Sequence, residues 1–105
     1  MSNPILETAP SLDLVRAHRD EILALAEKHG AYNIRVFGSV ARAEATPESD
    51  IDLLVSWDYD RVSAWGGVGF DSDVAELLGR RVDVISENGL SPYVRDSILK
   101  EAIPL

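Results

Sequence analysis

The sequence predicts an α/β fold of the α+β kind, with helices packed on one small sheet. Helix-like and strand-like segments alternate from Ser11 to Ala102 in the order helix, strand, short helix, strand, helix, strand, helix. The strand-like segments are short, alternate apolar with polar residues, and are separated by Gly, Pro, Ser and Thr. Neither an internal repeat, a low-complexity run nor a linker interrupts the pattern. The expectation is one domain over residues 1–105, with residues 1–10 as an N-terminal arm.

From Ser11 to Gly30 the spacing is helical, with Ser11 as cap, Asp13 in the first turn and Leu12, Val15, Ile22, Leu25 and Ala26 forming the apolar face. Gly30 supplies the stop. Tyr32 to Phe37 alternates Ile34 and Val36 with Asn33 and Arg35, a strand that runs into Gly38-Ser39. A short helix is expected over Val40–Ala45, a loop over Thr46–Ser49 and a second strand over Asp50–Trp57. The segment Asp58–Phe70 carries the weakest pattern, and Trp65-Gly66-Gly67-Val68-Gly69 reads as a loop or broken helix. Asp71–Leu78 is the next helix, ended by Gly79, and Arg81–Ser86 the third strand, with Asp83 near its middle. Ser91-Pro92 is a cap followed by proline at the first helical position, and Val94, Ile98 and Ala102 share one face of that last helix.

Composition narrows the function. Ten Lys and Arg against 18 Asp and Glu give a formal charge of −8, which repels a phosphate backbone, and no basic run offsets it. Nucleic acid is therefore not the expected partner. The chain has no cysteine, so disulfide and zinc-thiolate sites are excluded. No apolar stretch approaches the roughly 20 residues that span a bilayer, and Met1–Pro10 lacks the features of a signal peptide. A cytoplasmic protein with no membrane role is expected.

The residues that carry chemistry are Gly38-Ser39 and, after ten intervening residues, Asp50-Ile51-Asp52. In an extended strand Asp50 and Asp52 project to one face while Ile51, Leu53 and Val55 project to the other. Mg²⁺ takes carboxylate and phosphate oxygens and normally uses only one or two protein carboxylates, which suits this pair. A further metal contact, or help in deprotonating an attacking hydroxyl, needs another carboxylate on the same side, and Asp83 is the strand-borne candidate. Such a cluster is repulsive without a cation. Gly38 allows backbone to approach phosphate oxygens, Ser39 offers a hydroxyl and an N–H, and Arg42 lies one turn on. Arg42 has an equally good structural reading as a surface ion pair with Glu44 or Glu48. His18 and His29 read as surface or helix-end residues, and Trp57 and Trp65 as packing residues or, in the Gly-rich loop, partner contacts. A D-x-D glycosyltransferase is disfavoured, because 105 residues leave no room for a sugar-nucleotide domain.

Phe37-Gly38-Ser39-Val40-Ala41-Arg42, Ala45-Thr46-Pro47, Ser49-Asp50-Ile51-Asp52-Leu53-Leu54-Val55, Leu77-Leu78-Gly79-Arg80-Arg81-Val82-Asp83-Val84 and Gly89-Leu90-Ser91-Pro92-Tyr93 resemble the minimal nucleotidyltransferases of the polymerase beta superfamily. Members are similar to the antitoxin half of HEPN/minimal-nucleotidyltransferase toxin-antitoxin pairs. The resemblance implies the palm fold of that superfamily, a small mixed β-sheet with helices packed on it. It also implies transfer of AMP from ATP to a hydroxyl, typically a tyrosine of a HEPN-type toxin, within a hetero-oligomer. Gly38, Ser39 and Arg42 would then bind phosphate, and Asp50, Asp52 and Asp83 would hold one or two Mg²⁺ ions, with Asp83 activating the acceptor. A module of the same fold that neutralises its partner by contact, with little or no transfer, is the other reading. One departure bears on that choice: Ala43 stands where the family usually has glycine, and a positive φ there would strain the turn by about 1 kcal/mol or more.

Overall fold

The computed structural model describes residues 8–61 and 68–105. In chain order it contains α1 (Leu12–Ala17), α2 (Arg19–His29), β1 (Ala31–Phe37), α3 (Gly38–Ala41), β2 (Ile51–Trp57), α4 (Phe70–Leu78) and β3 (Val82–Ser86). A turn of 3₁₀-helix (Glu87–Gly89), α5 (Pro92–Glu101) and β4 (Ile103–Pro104) follow. The strands form a four-stranded mixed sheet in the order β3-β2-β1-β4, with β2 and β3 parallel and the other pairs antiparallel.

Most elements begin and end where side-chain chemistry directs. The Ser11 hydroxyl accepts the Leu14 N–H at 3.1 Å, and the Ser91 side chain accepts the Tyr93 N–H at 3.2 Å ahead of Pro92. Gly30 and Gly79 end α2 and α4 in the left-handed conformation, φ 78° and 66°. The expected single helix from Ser11 to Gly30 is instead two, broken at His18 (φ −110°, ψ 20°). Val15 and Ile22 are both fully buried, but the polar run between them gives the chain no apolar anchor, so each short helix aligns to the core separately.

The core lies between the sheet and α1, α2 and α4. Ile51, Leu53 and Val55 all point into it with no exposed surface, as strand alternation requires, and Val36, Ile22, Phe70 and Val74 complete it. The Phe70 ring sits 5.8 Å from that of His29 and 6.1 Å, edge-on, from that of Trp57. His29 Nε2 is 2.8 Å from Asp73 Oδ2, so this helix-end histidine ties α2 to α4.

The opposite face of the sheet departs from simple alternation. Asn33 adopts φ +53° where the β1–β2 register shifts, and Ile34, Arg35 and Val36 are consecutively buried. Arg35, a polar residue of the alternating strand, is only 8 % exposed. Its Nη1 donates to Glu87 Oε1 at 3.2 Å and its Nε to the Asn33 carbonyl at 3.0 Å. The guanidinium holds the Glu87 carboxyl below its usual range. β4, absent from the sequence reading, pairs Ile103 with Val36 and Pro104 with Arg35, and α5, which leads into it, has no buried residue. Val94, on the face it was expected to share with Ile98 and Ala102, is 45 % exposed and Tyr93 96 %.

Of the N-terminal arm, residues 1–7 lie outside the described residues; Pro10 is buried, and the Thr8 carbonyl accepts from Arg80 Nη2. Trp65, Gly66 and Gly67 also lie outside them, while Val68 and Gly69 form the turn into α4. Among the described residues no helix is long and apolar enough to cross a membrane. Removing the Phe70 ring opens a large cavity beneath the sheet. Phe70→Ala is expected to cost about 3–5 kcal/mol in denaturant unfolding, and Phe70→Leu under about 1.5.

Candidate active site

Strand alternation and strand register together build the site. Phe37, the last residue of β1, pairs with Asp52, and Asp52 pairs with Asp83 in the parallel β2–β3 ladder. Asp52 and Asp83 are therefore on the same face, with Asp50 two residues upstream of Asp52 on that face, opposite the buried Ile51, Leu53 and Val55. The three carboxylates that the sequence nominates thus share one face of the sheet.

Gly38 stands directly over this cluster. Its φ is +74°, and a Cβ at this position would lie 2.2 Å from Asp52 Oδ2 and 3.1 Å from Asp52 Cγ. Glycine is required twice here, once for the backbone conformation and once for the approach of the Asp52 carboxylate. The half-buried Ser39 follows, and the expected helix over Val40–Ala45 is the shorter α3, which Ala43 ends. Ala43 adopts φ +59°, so the left-handed position that the family fills with glycine is held here by alanine.

The electrostatics are those of an anionic cluster short of cations. Burial first, then the charges of Asp83 and Asp50, push the Asp52 carboxyl up to about 6. Asp50 Oδ1 is 2.9 Å from Arg81 Nε, yet the approach is too oblique for a hydrogen bond, and this buried oxygen has none. A buried carboxylate oxygen without a hydrogen-bond donor, next to a second carboxylate whose ionisation is opposed by burial and like charge, fits a hard divalent cation. Among the described residues no three acidic or imidazole groups already converge on one point, which is how like charges settle when only Arg81 and Arg42 oppose them.

Two residues of the site were not apparent in the sequence. Glu101, in the last turn of α5, accepts the Gly38 N–H on Oε1 at 2.9 Å. It also accepts Arg42 Nη1 on both oxygens at 3.2 and 3.0 Å, while Arg42 Nε reaches Glu44 at 3.1 Å. The two carboxylates raise the guanidinium's pKa above its usual value. Arg42 thus makes the predicted ion pair with Glu44, but with Glu101 rather than Glu48 as its other partner. A glutamate in the last turn of a helix opposes the helix dipole, and that mismatch is the one sequence signal that could have singled it out. Arg81, the other, contacts Asp50 and donates from Nη2 to the Glu48 carbonyl at 3.1 Å, so it fastens the loop that precedes β2.

A glycine turn at the end of a strand, set against same-face carboxylates on the next two strands, is an arrangement that can support nucleotidyl transfer. Residues 19–105 match the model of the nucleotidyltransferase domain family, and the chain belongs to that family. It is 36 % identical over 92 residues to Methanocaldococcus jannaschii MJ0126, to which protein adenylyltransferase activity is ascribed, across 87 % of this chain and 90 % of that one. A solved structure ascribed to a minimal nucleotidyltransferase superposes with a TM-score of 0.77 at 45 % identity, covering 91 % of this chain and 97 % of the other. A toxin-antitoxin crystal structure with AMP-PNP shares the fold at a TM-score of 0.65 and 20 % identity, over 81 % of this chain and 69 % of that one. The chain is a minimal nucleotidyltransferase, with the mixed sheet and packed helices expected of one.

The contact between Gly38 and Asp52 makes their substitutions interdependent. Gly38→Ala is expected to destabilise by more than about 2 kcal/mol. In an Asp52→Ala background the same change should cost at least about 1 kcal/mol less, as a double-mutant cycle of unfolding free energies would show. The raised pKa of Asp52 has a definite sign. Between pH 3.8 and about 6 the folded state binds more protons than the unfolded chain, so stability falls as pH rises through this window and then levels. Asp52→Asn should therefore raise the melting temperature at pH 8 and change it little at pH 4. The gain at pH 8, discounted for solvent screening, is about 1 kcal/mol or roughly 4–8 °C in thermal unfolding.

Proposed function

We propose that this nucleotidyltransferase moves AMP from ATP onto a hydroxyl, most simply a tyrosine, of a HEPN-type toxin protein, and so acts as that toxin's antitoxin. The observation that carries the reading is the placement of Gly38 against Asp52, with Asp50 and Asp83 on the same face. The adenylyltransferase ascription of the M. jannaschii relative and the toxin-antitoxin assembly of the AMP-PNP structure support the acceptor and the partner. We take the whole chain, residues 1–105, as one cytoplasmic domain working in a hetero-oligomer, without nucleic acid or membrane.

In this reaction the acceptor oxygen bonds to the α-phosphorus of ATP, the bond from that phosphorus to the α–β bridging oxygen breaks, and pyrophosphate leaves with the released electron pair. Asp50, Asp52 and Asp83 would hold one or two Mg²⁺ ions, which when bound neutralise the carboxylates and polarise the phosphates. Gly38 and Ser39 would receive the β- and γ-phosphates, with Arg42 offering charge from one turn on. Asp83, the most exposed of the three carboxylates, would take the hydroxyl proton. Ala43 favours a second reading, in which a strained turn slows transfer and contact alone neutralises the toxin.

Intact-mass spectrometry separates the two. With Mg²⁺, ATP and the toxin encoded beside it, the protein should add AMP to the toxin, and Asp50→Ala combined with Asp52→Ala should lower the rate by more than about 100-fold, beyond the cost of losing an outer-shell contact. Protection of cells by the double variant, with no adduct on the toxin under any divalent metal, would establish the contact reading instead.

A further inference from the structure

We propose that Glu101 is a built-in stand-in for phosphate, seated on the donors that the nucleotide must use and displaced when it binds. The proposal rests on the nucleotidyl-transfer reading of Gly38 and Arg42 and adds to it what these groups hold before substrate arrives. Glu101 Oε1 accepts the Gly38 N–H at 2.9 Å, and both carboxylate oxygens accept from Arg42 Nη1, at 3.2 and 3.0 Å. A backbone N–H in a glycine turn and a guanidinium converging on one pair of anionic oxygens form a seat for an oxyanion, and a carboxylate offers the same acceptors in the same plane as two oxygens of a phosphoryl group.

The position of Glu101 is otherwise unfavourable. It adds negative charge to the field that already raises Asp52, and it lies at the negative end of α5. The contact spans 63 residues, so it is made by the tertiary fold and not by local sequence. Its charge opposes the entry of another anion, while its hydrogen bonds keep the Gly38 amide and Arg42 oriented for one. Glu101 is thus a positioning residue: it preserves the seat and sets the affinity at which nucleotide takes it.

The prediction concerns binding rather than turnover. Affinity for a non-hydrolysable ATP analogue with Mg²⁺, and for inorganic triphosphate, would be measured calorimetrically on the full chain, its Glu101→Gln and Glu101→Ala variants, and Glu44→Gln. Glu101→Gln should bind both ligands about five- to tenfold more tightly, because it keeps an acceptor for Gly38 while losing the competing charge. Glu44→Gln removes the same charge from Arg42 without touching Gly38, and should change affinity less than about twofold. In ¹H–¹⁵N spectra without ligand, the Gly38 amide should shift in both Glu101 variants, and nucleotide should move it in the unsubstituted protein. Thermal unfolding and circular dichroism confirm that each variant is folded, and Glu101→Ala carries the test should Glu101→Gln not be. Equal affinity in all proteins, or weaker binding by both Glu101 variants, would overturn the stand-in role while leaving nucleotidyl transfer in place. No binding by any of them would overturn both.

Discussion

The constraint on which the site depends is the approach of the Gly38 backbone to the Asp52 carboxylate. A Cβ at Gly38 would sit 2.2 Å from Asp52 Oδ2, so the end of β1 and the start of β2 are packed to the limit that a glycine allows. The antiparallel pairing of Phe37 with Asp52 fixes that distance, and the parallel pairing of Asp52 with Asp83 brings the next carboxylate alongside. A slip of one residue in either ladder would turn these side chains into the core and bring Leu53 or Val84 out. Register is held in place by the buried face: Ile51, Leu53 and Val55 cannot leave the core without losing roughly 1.5–3 kcal/mol each.

The same strand therefore does two opposed things. Its inward residues supply hydrophobic stability, and its outward ones gather negative charge, half-buried and only partly answered by Arg81 and Arg42. The far end of that outward face is handled differently. There Arg35 is buried with Glu87 as its partner, and a bulge at Asn33 lets three consecutive residues of β1 stay covered. One end of the face is closed by an ion pair, and the other is left as an unbalanced carboxylate cluster beside a glycine turn. That contrast sets charge the fold has paired apart from charge it has left unanswered, within a single sheet.

How much of this was legible in the sequence depended on how local the cause was. Helix caps at Ser11 and Ser91, the stops at Gly30 and Gly79, and the face shared by Asp50 and Asp52 follow from rules that span a few residues, and the structure has them. The positive φ considered for Ala43 is also present. The break at His18 was hidden because its cause is an absence, a turn without an apolar anchor. The burial of Arg35 was not legible because it depends on Glu87, 52 residues on in the chain. β4 is only Ile103–Pro104, too short to show a period. Glu101 and Arg81 were missed because each acts on residues far away in the chain, which no periodicity reports.

The two contacts made at Gly38 differ in how much chain they enclose. Its approach to Asp52 closes within one antiparallel strand pair, whereas its hydrogen bond to Glu101 closes a loop of 63 residues and needs α5 in place. Loop-closure entropy grows with the span, so during folding the short closure forms more readily and the long one completes the structure. The short closure seats the Asp52 carboxylate under the glycine turn, and the apolar residues of β1 and β2 hold it there. The hydrogen bond to Glu101 depends on a helix with no buried residue of its own, so of the two contacts at Gly38 it is the one with less packing behind it.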